Sequence, residues 1–102
     1  GVATLSCLTL AIQVDGCSIE TVENLAPKGK LSHLQQAFVD HGAIQCGYCT
    51  PGMLMVATEL LSRNPHPSEN EIRRAISGNL CRCTGYQKIV EAIQAVARKS
   101  DE

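Results

Sequence analysis

The sequence lacks the patterns that mark nucleic-acid-binding, membrane-spanning or secreted proteins. It has no run of basic residues, and its net charge of -1 at pH 7 argues against nucleic acid as a main partner. No apolar run approaches the roughly 18–20 residues that a membrane span needs. The first residues lack the charged front and long apolar stretch of a secretory signal. We therefore expect a cytoplasmic protein and, because residue 1 is not Met, a natural chain that starts upstream.

Patterns for bond-making chemistry are also lacking. No nucleophile–base constellation stands out, no Gly-rich loop is suited to bind phosphate, and no two carboxylates are paired. We therefore expect no substrate chemistry on this chain. A chain of 102 residues buries only a small core, so a bound metal would matter to its stability.

Cysteine, by contrast, is abundant, with six in the chain. Two interpretations compete: a secreted disulfide framework and an intracellular metal site. The close pairs Cys46/Cys49 and Cys81/Cys83 favour metal, because thiols one or two residues apart converge easily on an ion but make poor structural disulfides with each other. Cys17 has no partner at a useful spacing and is expected to be an ordinary, partly buried thiol.

Two regions differ in pattern. Residues 1–27 contain short pieces of β character around a turn, "LTLAIQV" and "CSIETVENL", although "LTLAI" could equally be a short helix. After the linker "APKGKL", residues 28–102 are helical in pattern. Four helix starts are predicted from capping residues and from proline, at Ser32–Gln35, Thr50–Pro51, Ser68–Glu71 and Thr84–Gln87.

The helical region resembles two copies of one unit, in which a cysteine loop joins two helices. The sequence therefore predicts a mainly α fold, a four-helix domain with an internal pseudo-twofold. Both cysteine pairs precede helix N-termini, whose free N–H groups and positive dipole ends favour an anionic iron–sulfur cluster. Four thiolates also bind zinc, and the spacing alone does not separate the two metals.

A family resemblance favours an iron–sulfur cluster over zinc. "QCGYCTPGM" at 45–53 is followed, with 31 residues between its second cysteine and the next, by "CRCTGYQKIVEA". This combination resembles the helical [2Fe-2S] domain of the xanthine dehydrogenase and molybdenum hydroxylase family, and the resemblance covers essentially residues 31–98. Upstream, "LSCLTLAIQVDG" is similar to the end of that family's plant-type ferredoxin domain, a β-grasp fold. The resemblance thus implies that residues 1–27 are a short remnant of that domain and that residues 28–102 form the cluster-binding domain.

The resemblance also implies site residues. The ligands of one [2Fe-2S] cluster would be Cys46, Cys49, Cys81 and Cys83. Cys7 would be the last ligand of a second [2Fe-2S] cluster, whose other three ligands would precede residue 1. Gln45 and Cys83 would face the pterin of the molybdenum cofactor in a neighbouring subunit.

The function implied by the resemblance is electron transfer within a molybdenum-dependent oxidoreductase. A large subunit would hold the molybdopterin, and electrons would pass through this chain toward the second cluster and FAD in a medium subunit. Two alternatives from other classes are a zinc-stabilised helical interaction module and a free-standing ferredoxin-like carrier. The substrate would be chosen in the large subunit.

Overall fold

The fold is built from four α-helices. The computed structural model describes residues 1–99, and among these it contains no β-strand. The helices are α1 (His33–Asp40), α2 (Thr50–Arg63), α3 (Glu69–Ala75) and α4 (Gln87–Lys99). The predicted four-helix, mainly α fold is confirmed, while residues 100–102 of the predicted helical domain lie outside the described residues. None of the helices in residues 1–99 is long and apolar enough to span a membrane.

The shorter helices, α1 and α3, begin at the capping boxes that the sequence predicts. The Ser32 hydroxyl accepts the Gln35 N–H at 3.2 Å, and the Gln35 side chain accepts the Ser32 N–H at 2.8 Å. Ser68 and Glu71 repeat this arrangement at 3.2 and 3.0 Å. Each box satisfies two N–H groups that a helix start would otherwise leave unpaired, which helps such short helices to form.

The two longer helices start differently from the prediction. Cys49 is the N-cap of α2, so Thr50 is the first helical residue and Pro51 the second. The capping box predicted for α4 is wrong. That helix begins at Gln87. The Thr84 hydroxyl does not cap the helix and instead accepts the N–H of Tyr86 at 3.1 Å. The physical reason is a competing partner for Thr84, which is the sulfur of Cys81.

Helix packing brings the two predicted units together. α1 packs chiefly against α4, and α2 packs against α3. The predicted pseudo-twofold relates α1 to α3 and α2 to α4. It therefore relates the α1–α4 contact to the α2–α3 contact, in accord with the packing. Apolar side chains from all four helices meet in one core, whose largest fully buried members are Phe38, Met53, Ile72, Ile89, Ile93 and Val90.

Residues 1–27 depart from the prediction of strand-like pieces. Four short 3₁₀ turns occupy the segment and its exit, at Ser6–Leu8, Ala11–Val14, Val22–Leu25 and Pro27–Gly29. A strand satisfies its backbone groups only through a neighbouring strand, and the described residues offer none. The prediction of β structure here is therefore wrong, whereas the assignment of the segment to a ferredoxin-type domain stays a prediction.

Candidate metal centre

Four of the six cysteines lie in the two loops that connect the helices of each unit. Cys46 and Cys49 lie between α1 and α2, and Cys81 and Cys83 lie between α3 and α4. Cys49 and Cys81 are half-buried and pack against the hydrophobic core, while Cys46 and Cys83 are exposed. All six cysteines are free thiols. The four loop thiols thus line a site that is open on one side and backed by the core.

The thiols interact in two pairs, each of which joins the two loops. Cys49 donates a hydrogen bond to Cys81, and Cys83 donates one to Cys46. Cys46 and Cys81 also lie close enough to Cys49 for their charges to act on it. The structure therefore brings together all four predicted ligands, although they are separated by up to 37 positions in the sequence.

The pKa values of the thiols differ according to their surroundings. Burial raises the pKa of Cys49 to about 11, and its hydrogen bond to Cys81 adds to the rise. The hydroxyl and N–H of Thr84 lower the pKa of Cys81 to about 7. The hydrogen bond to Cys46 raises the pKa of Cys83. Since the thiolate is the form that binds metal, Cys81 is the predicted ligand whose thiol most readily loses its proton.

The first loop turns at a glycine. Gly47 has a φ of +84°, in the left-handed region that side-chain-bearing residues rarely adopt, and an added Cβ would meet no atom within 4 Å. Backbone conformation, and not lack of space, therefore favours glycine here. The turn directs the N–H of Tyr48 to the sulfur of Cys46 at 3.5 Å. The Tyr48 ring itself is 93% exposed, so it does not pack against the core.

The second loop holds its first cysteine more closely. The Thr84 hydroxyl lies 3.1 Å from the sulfur of Cys81, and the Thr84 N–H donates to the same sulfur at 3.4 Å. The N–H of Cys81 donates to the Tyr86 hydroxyl at 3.0 Å. Sequence reasoning missed these roles because the capping pattern assigned Thr84 to α4. The available signal was a threonine three residues after a predicted ligand, close enough in the chain to turn back onto the sulfur.

A close contact at α2 positions the second loop beside the first. Gly52 lies in the first turn of α2, and a Cβ at this residue would lie 2.7 Å from the side-chain oxygen of Asn79. Asn79 lies two residues before Cys81. The missing side chain of Gly52 therefore lets the second loop approach the helix that starts at Cys49.

The other predicted site residues lie outside this set of thiols. Gln45 is exposed and adjacent to Cys46 in the chain. Cys7 lies in the first 3₁₀ turn and Cys17 follows the second, and both are exposed. The interactions that link the four loop thiols involve neither of them.

The four thiols match the ligand type and number that a [2Fe-2S] cluster needs. Within residues 1–99, no three Cys, His, Asp or Glu side chains close on one point as ligands of an ion. A [2Fe-2S] cluster shares four thiolates between two irons, so its ligands need not converge on one point. The arrangement of the four thiols in two pairs is therefore compatible with a [2Fe-2S] cluster.

Comparison with known families gives one match. Residues 21–94 match the family described as the [2Fe-2S] binding domain. The matched range includes both cysteine loops and all four helix starts. It also includes the turn Val22–Leu25, whose residues Val22 and Leu25 pack against the helical core.

Several characterised proteins are similar in sequence. The small subunit of nicotine 6-hydroxylase from Paenarthrobacter nicotinovorans is 63% identical over 93 residues, which are 91% of this chain and 56% of that protein. The xanthine dehydrogenase iron-sulfur-binding subunit of Escherichia coli O157:H7 is 52% identical over 95 residues, 91% of this chain and 60% of that protein. The chain thus spans somewhat more than half the length of these relatives.

Solved structures agree with the sequence matches. Quinoline 2-oxidoreductase from Pseudomonas putida 86 matches with a TM-score of 0.88 and 56% identity, over 94% of this chain and 60% of that one. Aldehyde oxidoreductase from Desulfovibrio gigas also gives a TM-score of 0.88, at 38% identity, over 94% of this chain and 11% of that one. The same helical arrangement therefore occurs as more than half of one chain and as a small part of a much longer chain.

Proposed function

The chain belongs to the family of [2Fe-2S] binding domains, and from this premise we propose that it holds one [2Fe-2S] cluster and serves as an electron relay. The resemblance to iron–sulfur subunits of the xanthine dehydrogenase family is confirmed by the relatives. The proposed ligands are the thiolates of the two loops, Cys46, Cys49, Cys81 and Cys83. The observation that carries the proposal is that these thiols meet in two pairs across the loops.

The chemistry that a bound [2Fe-2S] cluster supplies is the uptake and release of one electron. The residues of this chain hold the group and shield one side of it. Cys49 and Cys81 are half-buried against the core, and the helices behind them limit rearrangement when the charge changes. Cys46 and Cys83 are exposed, so the opposite side is open to a partner.

The proposed donor is a molybdopterin cofactor in a large subunit. Gln45 and Cys83 are proposed to face its pterin, and the exposure of both residues supports this role. Exposed apolar side chains stand near them: Leu80 is 83% exposed, and Ile44 is also exposed. Exposed apolar side chains at these positions are compatible with a protein–protein contact.

The proposed path continues to a second cluster and to FAD on a medium subunit. Cys7 is proposed as one ligand of the second [2Fe-2S] cluster, with the others upstream of residue 1. Its exposure, and the exposed apolar side chains around it, support the addition of further protein structure there. We also propose a cytoplasmic location, because thiolate ligands need a compartment in which cysteines are kept reduced.

A visible spectrum with a metal count tests the cluster. The chain is reconstituted anaerobically with iron and sulfide, and iron and zinc are counted on the same sample. We expect two irons per chain and a red-brown spectrum that bleaches with dithionite. Replacement of one ligand, Cys46→Ser, should remove the colour, because the set of four thiolates is then incomplete.

The matched control is Cys17→Ser, which changes an exposed cysteine outside the loops and should leave the iron count and the spectrum unchanged. One zinc per chain and no colour after reconstitution would contradict the proposal and would indicate a zinc-held interaction module. Equal loss of colour in the two variants would show that the loop thiols have no special role.

A further inference from the structure

The first cysteine sulfur of each loop has different hydrogen-bond partners. In the second loop, the sulfur of Cys81 has two polar contacts from one residue, the Thr84 hydroxyl at 3.1 Å and the Thr84 N–H at 3.4 Å. In the first loop, the sulfur of Cys46 has a single N–H contact, from Tyr48 at 3.5 Å. A side-chain hydroxyl at a sulfur is thus a feature of the second loop alone among the hydrogen bonds of residues 1–99.

The direction of the hydroxyl contact follows from the state of the sulfur. Either atom can donate when Cys81 is a thiol. A cysteine that binds metal is a thiolate, which has no proton and can only accept. The Thr84 hydroxyl must then donate to Cys81. Its own oxygen already accepts the N–H of Tyr86 at 3.1 Å, an interaction that polarises the O–H group and strengthens its donation.

The loop holds the hydroxyl in this position through its backbone. Gly85 and Tyr86 both have positive φ, +67° and +73°. This pair of left-handed residues turns the Tyr86 N–H back onto Thr84. The Tyr86 side chain fixes the same turn from the other end, because its hydroxyl accepts the N–H of Cys81 at 3.0 Å and its ring packs against the core.

We propose that Thr84 is a positioning residue whose hydroxyl raises the reduction potential of the cluster by donating a hydrogen bond to the sulfur of Cys81. The proposal rests on the proposed function, since it needs the cluster on these ligands. Reduction adds one electron and therefore negative charge, part of which falls on the ligand sulfurs. A hydrogen-bond donor at a sulfur stabilises the more negative state, and hydrogen bonds to sulfur are among the factors that set such potentials.

The test is an anaerobic redox titration of the reconstituted chain, followed by the electron paramagnetic resonance signal of the reduced state. Thr84→Val keeps the shape of the side chain and removes the hydroxyl. We expect the equilibrium constant for one-electron reduction to fall roughly tenfold, which is a midpoint lower by about 59 mV. Thr84→Ser restores the hydroxyl and should return the midpoint toward the wild-type value.

Thr58→Val is the matched control. The Thr58 hydroxyl donates to the carbonyl of Leu54 within α2 at 2.7 Å, so its loss should leave the midpoint unchanged. If the methyl group that replaces the hydroxyl in Thr84→Val blocks loading, Thr84→Ala removes the hydroxyl without placing a methyl group at the sulfur and is titrated in the same way.

The outcomes separate the two proposals. A wild-type chain that takes up no iron overturns the proposed function and this inference with it. A wild-type chain and a Thr84→Val chain with two irons each and the same midpoint overturn only the role of Thr84. A lowered midpoint in Thr84→Val that Thr84→Ser does not restore would also contradict it, because a change in packing would then explain the shift.

Discussion

Residues 1–27 and residues 33–99 contain similar kinds of apolar side chains but use them differently. In the helical part, leucine, isoleucine and valine side chains fill a core in which Ile72, Ile89 and Ile93 are fully buried. In the first segment most large apolar side chains are exposed, with Leu8 at 77% and Ile12 at 80%. The turn Val22–Leu25 is the exception, since two of its side chains reach the core.

This difference in burial shows that apolar content alone does not build a core. A helix satisfies its backbone hydrogen bonds within itself, so an amphipathic segment is free to fold and then to bury one face. A strand needs a partner for the same bonds, and residues 1–27 have none among the described residues. Their apolar side chains therefore stay at the surface.

The largest change in the free energy of unfolding is expected for a substitution in the core. Phe38 is fully buried in α1, and Phe38→Ala should destabilise the protein by about 3–5 kcal/mol, because it removes buried surface and leaves a cavity. Leu8→Ala in the first segment is the matched change and should fall within about 0.5 kcal/mol of wild type. Urea unfolding of the reconstituted chains measures both, and equal losses would break the comparison.

A smaller effect is expected at the start of α1. Ser32→Ala removes the hydroxyl that accepts the Gln35 N–H and should cost about 1 kcal/mol, because that N–H then lacks its partner in the helix. Ser6→Ala, at the start of a short 3₁₀ turn without a side-chain cap, serves as the control. The same urea measurement applies, and an unchanged midpoint for Ser32→Ala would show that the cap contributes nothing.

The smallest effect is expected from the charge at the start of α3. The N–H and hydroxyl of Ser68 lower the pKa of the Glu71 carboxyl below its usual value of 4.5. A carboxyl with a lowered pKa in the folded state stabilises the fold above pH 4.5, and this stabilisation is lost as the pH falls through the lowered pKa.

Glu71→Gln should therefore melt slightly below wild type at pH 7, and the difference should shrink as the pH falls below 4.5. Circular dichroism melting of the two chains, prepared identically, measures it. A difference that stays constant into acid would contradict the role assigned to the ionised carboxyl.

Local signals were sufficient where the interactions are local. The capping boxes at Ser32 and Ser68 each involve residues three positions apart, and both formed as predicted. The apolar residues Ile89, Val90 and Ile93 of α4 have the spacing of one helix face, and all three are fully buried. Both features depend only on helical geometry, which fixes the distance between nearby residues.

The same kind of signal failed where a distant or unusual partner competed. Thr84 and Gln87 have the spacing of a capping box, but the sulfur of Cys81 and the N–H of Tyr86 take up the Thr84 hydroxyl. The start of α4 moved accordingly to Gln87. Helix propensities do not account for this competition, because the competing hydrogen bonds depend on a loop turn at Gly85 and Tyr86.

Residue types and short spacings were enough to specify four thiols at two loop positions, the helices around them and the family to which the chain belongs. The tertiary structure sets which thiols meet and what surrounds each of them. It pairs Cys49 with Cys81, with unequal effects on their pKa values, and places Thr84 at one sulfur. The reason is that residue types and short spacings are written along the chain, whereas burial and hydrogen bonding between loops arise only when α1 packs on α4 and α2 on α3.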